Sequence, residues 1–206
     1  MAGRLRLHDF GRGGAGGRPD ALILILFAAD DGAAHAMVFA RHWQPTVPRA
    51  AFVGLELDAG VRRSDRAALR RAAAEATTAC SIQPSRIILF GTGAAGRLAV
   101  DLMLQAVIPG AGVIGLDITL ESALSRVRST AAMVRLVQHR TDDDPRATRA
   151  HALIAAMQRQ DVNVRSMVLP NVAQASPSVT MRACGTFLVE LVAKASRIPA
   201  SSRRWL

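Results

Sequence analysis

The stretch Arg86–Met103, RIILFGTGAAGRLAVDLM, constrains the fold of this chain more than any other. Four apolar residues, Ile87 to Phe90, run into Gly91-Thr92-Gly93-Ala94-Ala95-Gly96, and Leu98, Leu102 and Ala106 then recur at helical spacing. That order predicts a strand, a tight turn and a helix. Two devices demand such small residues at the turn. One is the dinucleotide-binding turn G-x-G-x-x-G, in which glycines let backbone approach a pyrophosphate at a helix N-terminus. The other is a strand-to-helix elbow, G-x-S-x-G, which presents a nucleophile on a sharp bend. The first pattern matches letter for letter. In the second, Gly93 stands in the serine's place and Ala95 in that of the last glycine.

The rest of the chain alternates strands and helices around that unit. Leu22–Phe27 reads as a continuous apolar strand, as expected when helices cover both faces of a sheet. Ala33–Trp43 reads as a helix, Ala51–Leu57 as a strand, and Ser64 as the cap of a helix reaching about Ala79. Beyond the glycine turn come strand Gly112–Leu116, a short helix near Glu121–Arg128 and strand Ala132–Gln138. A helix over about Arg146–Arg159, strand Val164–Leu169 and helix Pro177–Ala195 complete the pattern, with Pro177 suited to a first helical position. Six strands alternating with helices predict a mostly parallel, doubly wound sheet in a three-layer α/β fold. Residues 20–195 make a single domain. Residues 1–19 read as a flexible Gly/Arg-rich segment, with a short edge strand near Arg4–Leu7, and residues 196–206 as a loose basic tail.

Composition narrows the function classes. The 206 residues carry 26 Lys+Arg against 16 Asp+Glu, a net charge of +10, yet Lys194 is the sole lysine and tyrosine is absent. No basic segment is interleaved with aromatics as a nucleic-acid stacking platform requires, so nucleic-acid binding is not expected. Arg62, Arg66 and Arg70 align at i, i+4 spacing, which a solvated helix face explains more simply than an acidic partner. No apolar run reaches the roughly 20 residues of a membrane span. Cys80 and Cys184 form no metal or redox motif and fit reduced thiols, which together with the α/β rhythm points to a cytoplasmic protein.

Several separated stretches resemble the carboxylesterase/phospholipase family of small α/β-hydrolases. LILFAADDG (Leu24–Gly32) is similar to the family's first-strand signature, and RIILFGTGAAGRLAV to its elbow strand and helix. VQHRTDDDP (Val137–Pro145) resembles the segment that carries the acid of the triad, and VLPNVAQASP (Val168–Pro177) lies where the family has its glycine-histidine loop. The resemblance implies an α/β-hydrolase-like fold with a broken catalytic set. The nucleophile's place falls on Gly93, the acid's on Asp143 (with Asp142 and Asp144 as register alternatives), and the base's on Gln174. The His-Gly pair of the oxyanion loop becomes Leu26-Phe27, and Ala51–Ser64 is shortened and lacks the family's Trp and Asp substrate segment. The backbone amides of Ala28 and Ala94 remain as an oxyanion-type pocket. The implied role is a pseudoenzyme that binds a small ligand or a protein partner, with a homodimer as one arrangement and no cofactor.

Two alternatives stay open at the level of sequence. A residual carboxylic-ester hydrolase would need other groups. Thr92 is expected to point away from the active face, Ser176 reads as the cap of the Pro177 helix, and both cysteines read as buried and inert. His139 ends a strand beside Asp142–Asp144 and reads as their structural partner, while His35, His42 and His151 lie on helices without metal-ligand spacing. The acidic run could hold a cation but more simply solvates a loop. The second alternative is NAD(P) binding through Gly91, Gly93 and Gly96, with Asp117 about 20 residues on as the ribose-binding acid.

Overall fold

The computed structural model describes residues 5–12, 17–58, 65–118, 127–128, 131–140, 145–171 and 176–199. The strands are β1 (Leu5–Arg12), β2 (Ala21–Ala28), β3 (Ala50–Leu57), β4 (Ile87–Thr92), β5 (Gly112–Leu116), β6 (Met133–His139) and β7 (Asn163–Leu169). The helices are α1 (Gly32–Trp43), α2 (Arg66–Ala79), α3 (Gly93–Leu104), α4 (Pro145–Gln158) and α5 (Pro177–Ser196). All seven strands form one sheet in the order β1-β3-β2-β4-β5-β6-β7. Only β1 is antiparallel to its neighbour. The expected doubly wound parallel sheet is therefore present.

Period-2 alternation sends the side chains of each central strand into two different cores. Leu22, Leu24 and Leu26 of β2 face α2, α3 and α4 in one cluster, whereas Ile23, Ile25 and Phe27 face α1 and α5 in the other. A strand covered on both sides has no use for polar residues, and this accounts for the unbroken ALILILFA run. Leu26 and Phe27, where the oxyanion-loop His-Gly pair was expected by resemblance, are both buried in these cores.

Several features go beyond or depart from the sequence reading. The edge strand β1, expected as a short one near Arg4–Leu7, is eight residues long and runs through Gly11 and Arg12. A register shift between Asp9 and Gly11, with Gly11 at φ 93°, lets glycine-rich sequence stay in the ladder. Pairing with β3 brings His8 Nε2 to 2.7 Å from Glu56, a contact that alternation alone does not reveal. Helix α2 begins at Arg66 with Asp65 at its N-cap position; Ser64, the expected cap, lies outside the described residues. The expected helix near Glu121–Arg128 falls almost wholly outside the described residues, and Val127 and Arg128 are not helical.

The last departure is a charge inside the fold. Arg135 on β6 is 0% exposed. Its Nε and Nη2 donate to the two carboxylate oxygens of Glu190 on α5 at 2.9 and 2.8 Å, and its Nη1 donates to the carbonyls of Val134 and Asn163. A buried guanidinium is tolerated only when its donors are satisfied in this way.

Candidate functional site

Consecutive crossovers leave β2 in opposite directions, first to β3 and then back past β2 to β4. At such a reversal the carboxyl ends of adjacent strands open a crevice, the usual ligand position in open α/β sheets. Ala28, at the end of β2, and Gly93, immediately after β4, flank that crevice, since Leu26 pairs with Gly91.

The glycines of the turn divide into two physical roles. Gly93 opens α3 at φ +51°, and a Cβ built on it would meet nothing within 4 Å among the described residues. It thus holds the left-handed elbow conformation with open space in front, which is where a nucleophile's side chain would project. Gly91 and Gly96 are needed for contact instead. A Cβ on Gly96 would lie 2.5 Å from the Gly91 carbonyl oxygen, and one on Gly91 would lie 2.8 Å from the Gly96 nitrogen. Strand and helix meet backbone to backbone. The G-x-G-x-x-G spacing is therefore explained by an elbow and by close packing.

Thr92 occupies the N-cap position of α3 in extended conformation without a side-chain capping bond. The helix then carries a buried ion pair, with Arg97 Nε donating to Asp101 Oδ2 at 3.3 Å. Ser176 accepts from the Ser178 amide and so caps α5, with Pro177 in the first turn, as its sequence position implies. Both cysteines are buried. Burial pushes the Cys80 thiol above its ordinary range, and burial followed by the charge of Asp117 pushes Cys184 up to about 12. Neither is a nucleophile at neutral pH.

Of the sequence-predicted positions, Asp142, Asp143, Asp144 and Gln174 lie outside the described residues. Among the described residues no group of three or more His, Cys, Asp and Glu side chains is placed to hold a metal. His139 is the principal correction. It ends β6 beside β5 and takes Asp117 as its partner. Asp117 Oδ1 accepts the His139 amide at 2.8 Å, and Oδ2 accepts from ring Nδ1 at 2.7 Å. On the other side of the ring, Nε2 lies 2.8 Å from Thr180 Oγ1 in the second turn of α5. Asp117 adopts φ +46°, a left-handed conformation that aspartate tolerates better than most residues. Asp117, the ribose-binding acid of the nucleotide alternative, is thus engaged by His139 through both carboxylate oxygens. Thr180 had no signal in the sequence; only the docking of α5 brings it to the strand ends.

No protein-family model matches the chain, and no curated protein matches it in sequence. Solved structures do match in shape. Esterase PE8 superposes with a TM-score of 0.64 at 14% identity, over 92% of this chain and 98% of that one. A phospholipase/carboxylesterase from Dyadobacter fermentans gives 0.66 at 12% identity, over 92% and 98%. An esterase from the planctomycete Thermogutta terrifontis, with butyrate bound, gives 0.65 at 13%, over 91% and 89%. At these identities the likeness establishes the fold: a mostly parallel α/β-hydrolase-like sheet of the kind seen in esterases. No helix among the described residues is long and apolar enough to cross a membrane.

Proposed function

We propose that this chain is a catalytically impaired α/β-hydrolase homologue whose crevice at the carboxyl ends of β2 and β4 binds a small ligand or protein partner instead of turning over an ester. One observation carries the reading. The elbow residue is Gly93, in the left-handed conformation and facing open space, with no side chain to attack a carbonyl. Acyl transfer by this apparatus needs a hydroxyl within reach of a base, and a third group to orient the base. Resemblance puts Gln174 in the base's place, and an amide takes up no proton near neutral pH. Glycine also removes the cost of the left-handed turn, so the change favours the fold while ending turnover.

The test is hydrolysis of p-nitrophenyl butyrate by the full chain and by its Gly93→Ser/Gln174→His double variant. Steady turnover is expected only from the double variant, showing that the crevice still accepts an ester once nucleophile and base are restored. Sustained wild-type turnover that survives repurification and disappears in Gly93→Val would overturn the proposal.

A further inference from the structure

We propose that Asp117, His139 and Thr180 form an acid–base relay that makes Thr180 a covalent acceptor for activated carboxylic esters, apart from the emptied elbow. A carboxylate only accepts hydrogen bonds, so the 2.7 Å contact places the proton of the neutral ring on His139 Nδ1. Nε2 is then the basic nitrogen, and at 2.8 Å it accepts the Thr180 hydroxyl hydrogen. The second bond from Asp117, to the His139 amide, fixes the carboxylate and the ring as one unit. Acid, imidazole and hydroxyl thus stand in the order that activates a nucleophile.

The placement supports this as well. Asp117 follows β5, where Leu116 pairs with the Thr92 that precedes Gly93, so the relay adjoins the elbow at the same end of the sheet. The His139 side chain is 6% exposed and Thr180 is 8% exposed, so water is restricted but a path to solvent exists. Cys184, the nearby thiol on α5, stays protonated and does not compete.

Thr180 Oγ bonds to the ester carbonyl carbon as its proton passes to His139 Nε2. The bond to the leaving oxygen then breaks, His139 returns the proton to that oxygen, and an alcohol and a threonyl ester result. The backbone amides of Val179 and Thr180 are already held by the Ser176 carbonyl, and that of Ser178 by the Ser176 hydroxyl. They are not available as oxyanion donors, so both acylation and hydrolysis go without that help; the activated ester carries the better leaving group, so acylation outruns attack of water on the threonyl ester and the adduct accumulates. The inference goes beyond the binding role proposed above, and it is compatible with that role because it requires one acylation and no turnover.

The experiment is incubation of the full chain with p-nitrophenyl butyrate, followed by intact-mass measurement, peptide mapping and continuous p-nitrophenol readout. The expected result is a burst of about one equivalent of p-nitrophenol per chain and one butyryl group, mapped to Thr180. Thr180→Ser should keep the label, Thr180→Val should abolish it, and His139→Gln should slow it on the order of 100-fold or more, the usual contribution of a general base. A thermal melt of each variant separates loss of chemistry from loss of fold. No adduct on the wild type, an adduct elsewhere, or undiminished labelling of Thr180→Val would reject the relay and leave the trio as a structural tie for α5. Continuous turnover persisting in Thr180→Val would instead reject the impaired-elbow proposal.

Discussion

Gly91 and Gly96 touch backbone to backbone, closely enough that a Cβ on Gly96 would lie 2.5 Å from the Gly91 carbonyl oxygen. The contact turns a spacing shared with nucleotide-binding turns into a packing requirement of β4 on α3. Gly96→Ala is therefore expected to cost about 2 kcal/mol or more, since backbone on both sides leaves nothing flexible to move. Gly93→Ala meets open space and bears only the left-handed conformation, about 1 kcal/mol. Urea unfolding of the two variants tests this ranking, and equal losses would contradict it.

Asp117, the acid a ribose would need, hydrogen-bonds to His139 through both carboxylate oxygens, and silence toward nucleotides is expected. NAD(H) and NADP(H), titrated to millimolar concentration, should leave the melting temperature unchanged. Saturable stabilisation lost in Asp117→Ala would mean that Asp117 can leave His139 for a ribose, contrary to the geometry found.

Arg135 and Glu190 tie β6 to α5. Glu190→Ala should destabilise the fold by about 3 kcal/mol, because it strands a fully buried guanidinium. Arg135→Met/Glu190→Leu should recover much of the loss, since the cost arises from the uncompensated charge. The hydrogen bond from Arg135 is the main cause that lowers the Glu190 pKa below its ordinary value of 4.5. A lowered carboxyl pKa contributes stability that is complete above the unfolded value and is lost as pH falls through the folded one. Stability should therefore drop below about pH 4.5, and less steeply in the double variant. Parallel pH profiles would show that the pair contributes nothing to it.

Cys184 should resist thiol reagents in the native protein. It is 0% exposed and its pKa is pushed up to about 12, so at pH 8 both access and thiolate are lacking. Reaction with Ellman's reagent should follow unfolding. Rapid native labelling at Cys184 would show that α5 opens far more readily than its packing implies.

Much of the architecture was legible locally. The apolar runs of β2 to β5 and the helical spacing after Gly96 depend on periodicities of two and 3.6, which adjacent residues express by themselves. The cap at Ser176 and the first-turn proline are likewise local, and both were found as expected. β1 was read too short because glycines weaken the strand signal, and the partner strand that compensates lies far along the chain, with Arg12 opposite Ala51 and Leu5 opposite Leu57.

The site divides along the same line. Sequence by itself determined that the elbow has no hydroxyl, since Gly93 lacks a side chain in any conformation, and that parallel strands alternate with helices. Tertiary structure alone decided which glycine bends and which ones pack, that His139 joins Asp117 on the next strand, and that Thr180 completes the row. It also decided that Arg135, a charged residue within the apolar run Met133–Val137, is buried against Glu190. Such contacts depend on register between strands and on where a helix docks after a crossover. Those are long-range packing outcomes, and no period along the chain encodes them.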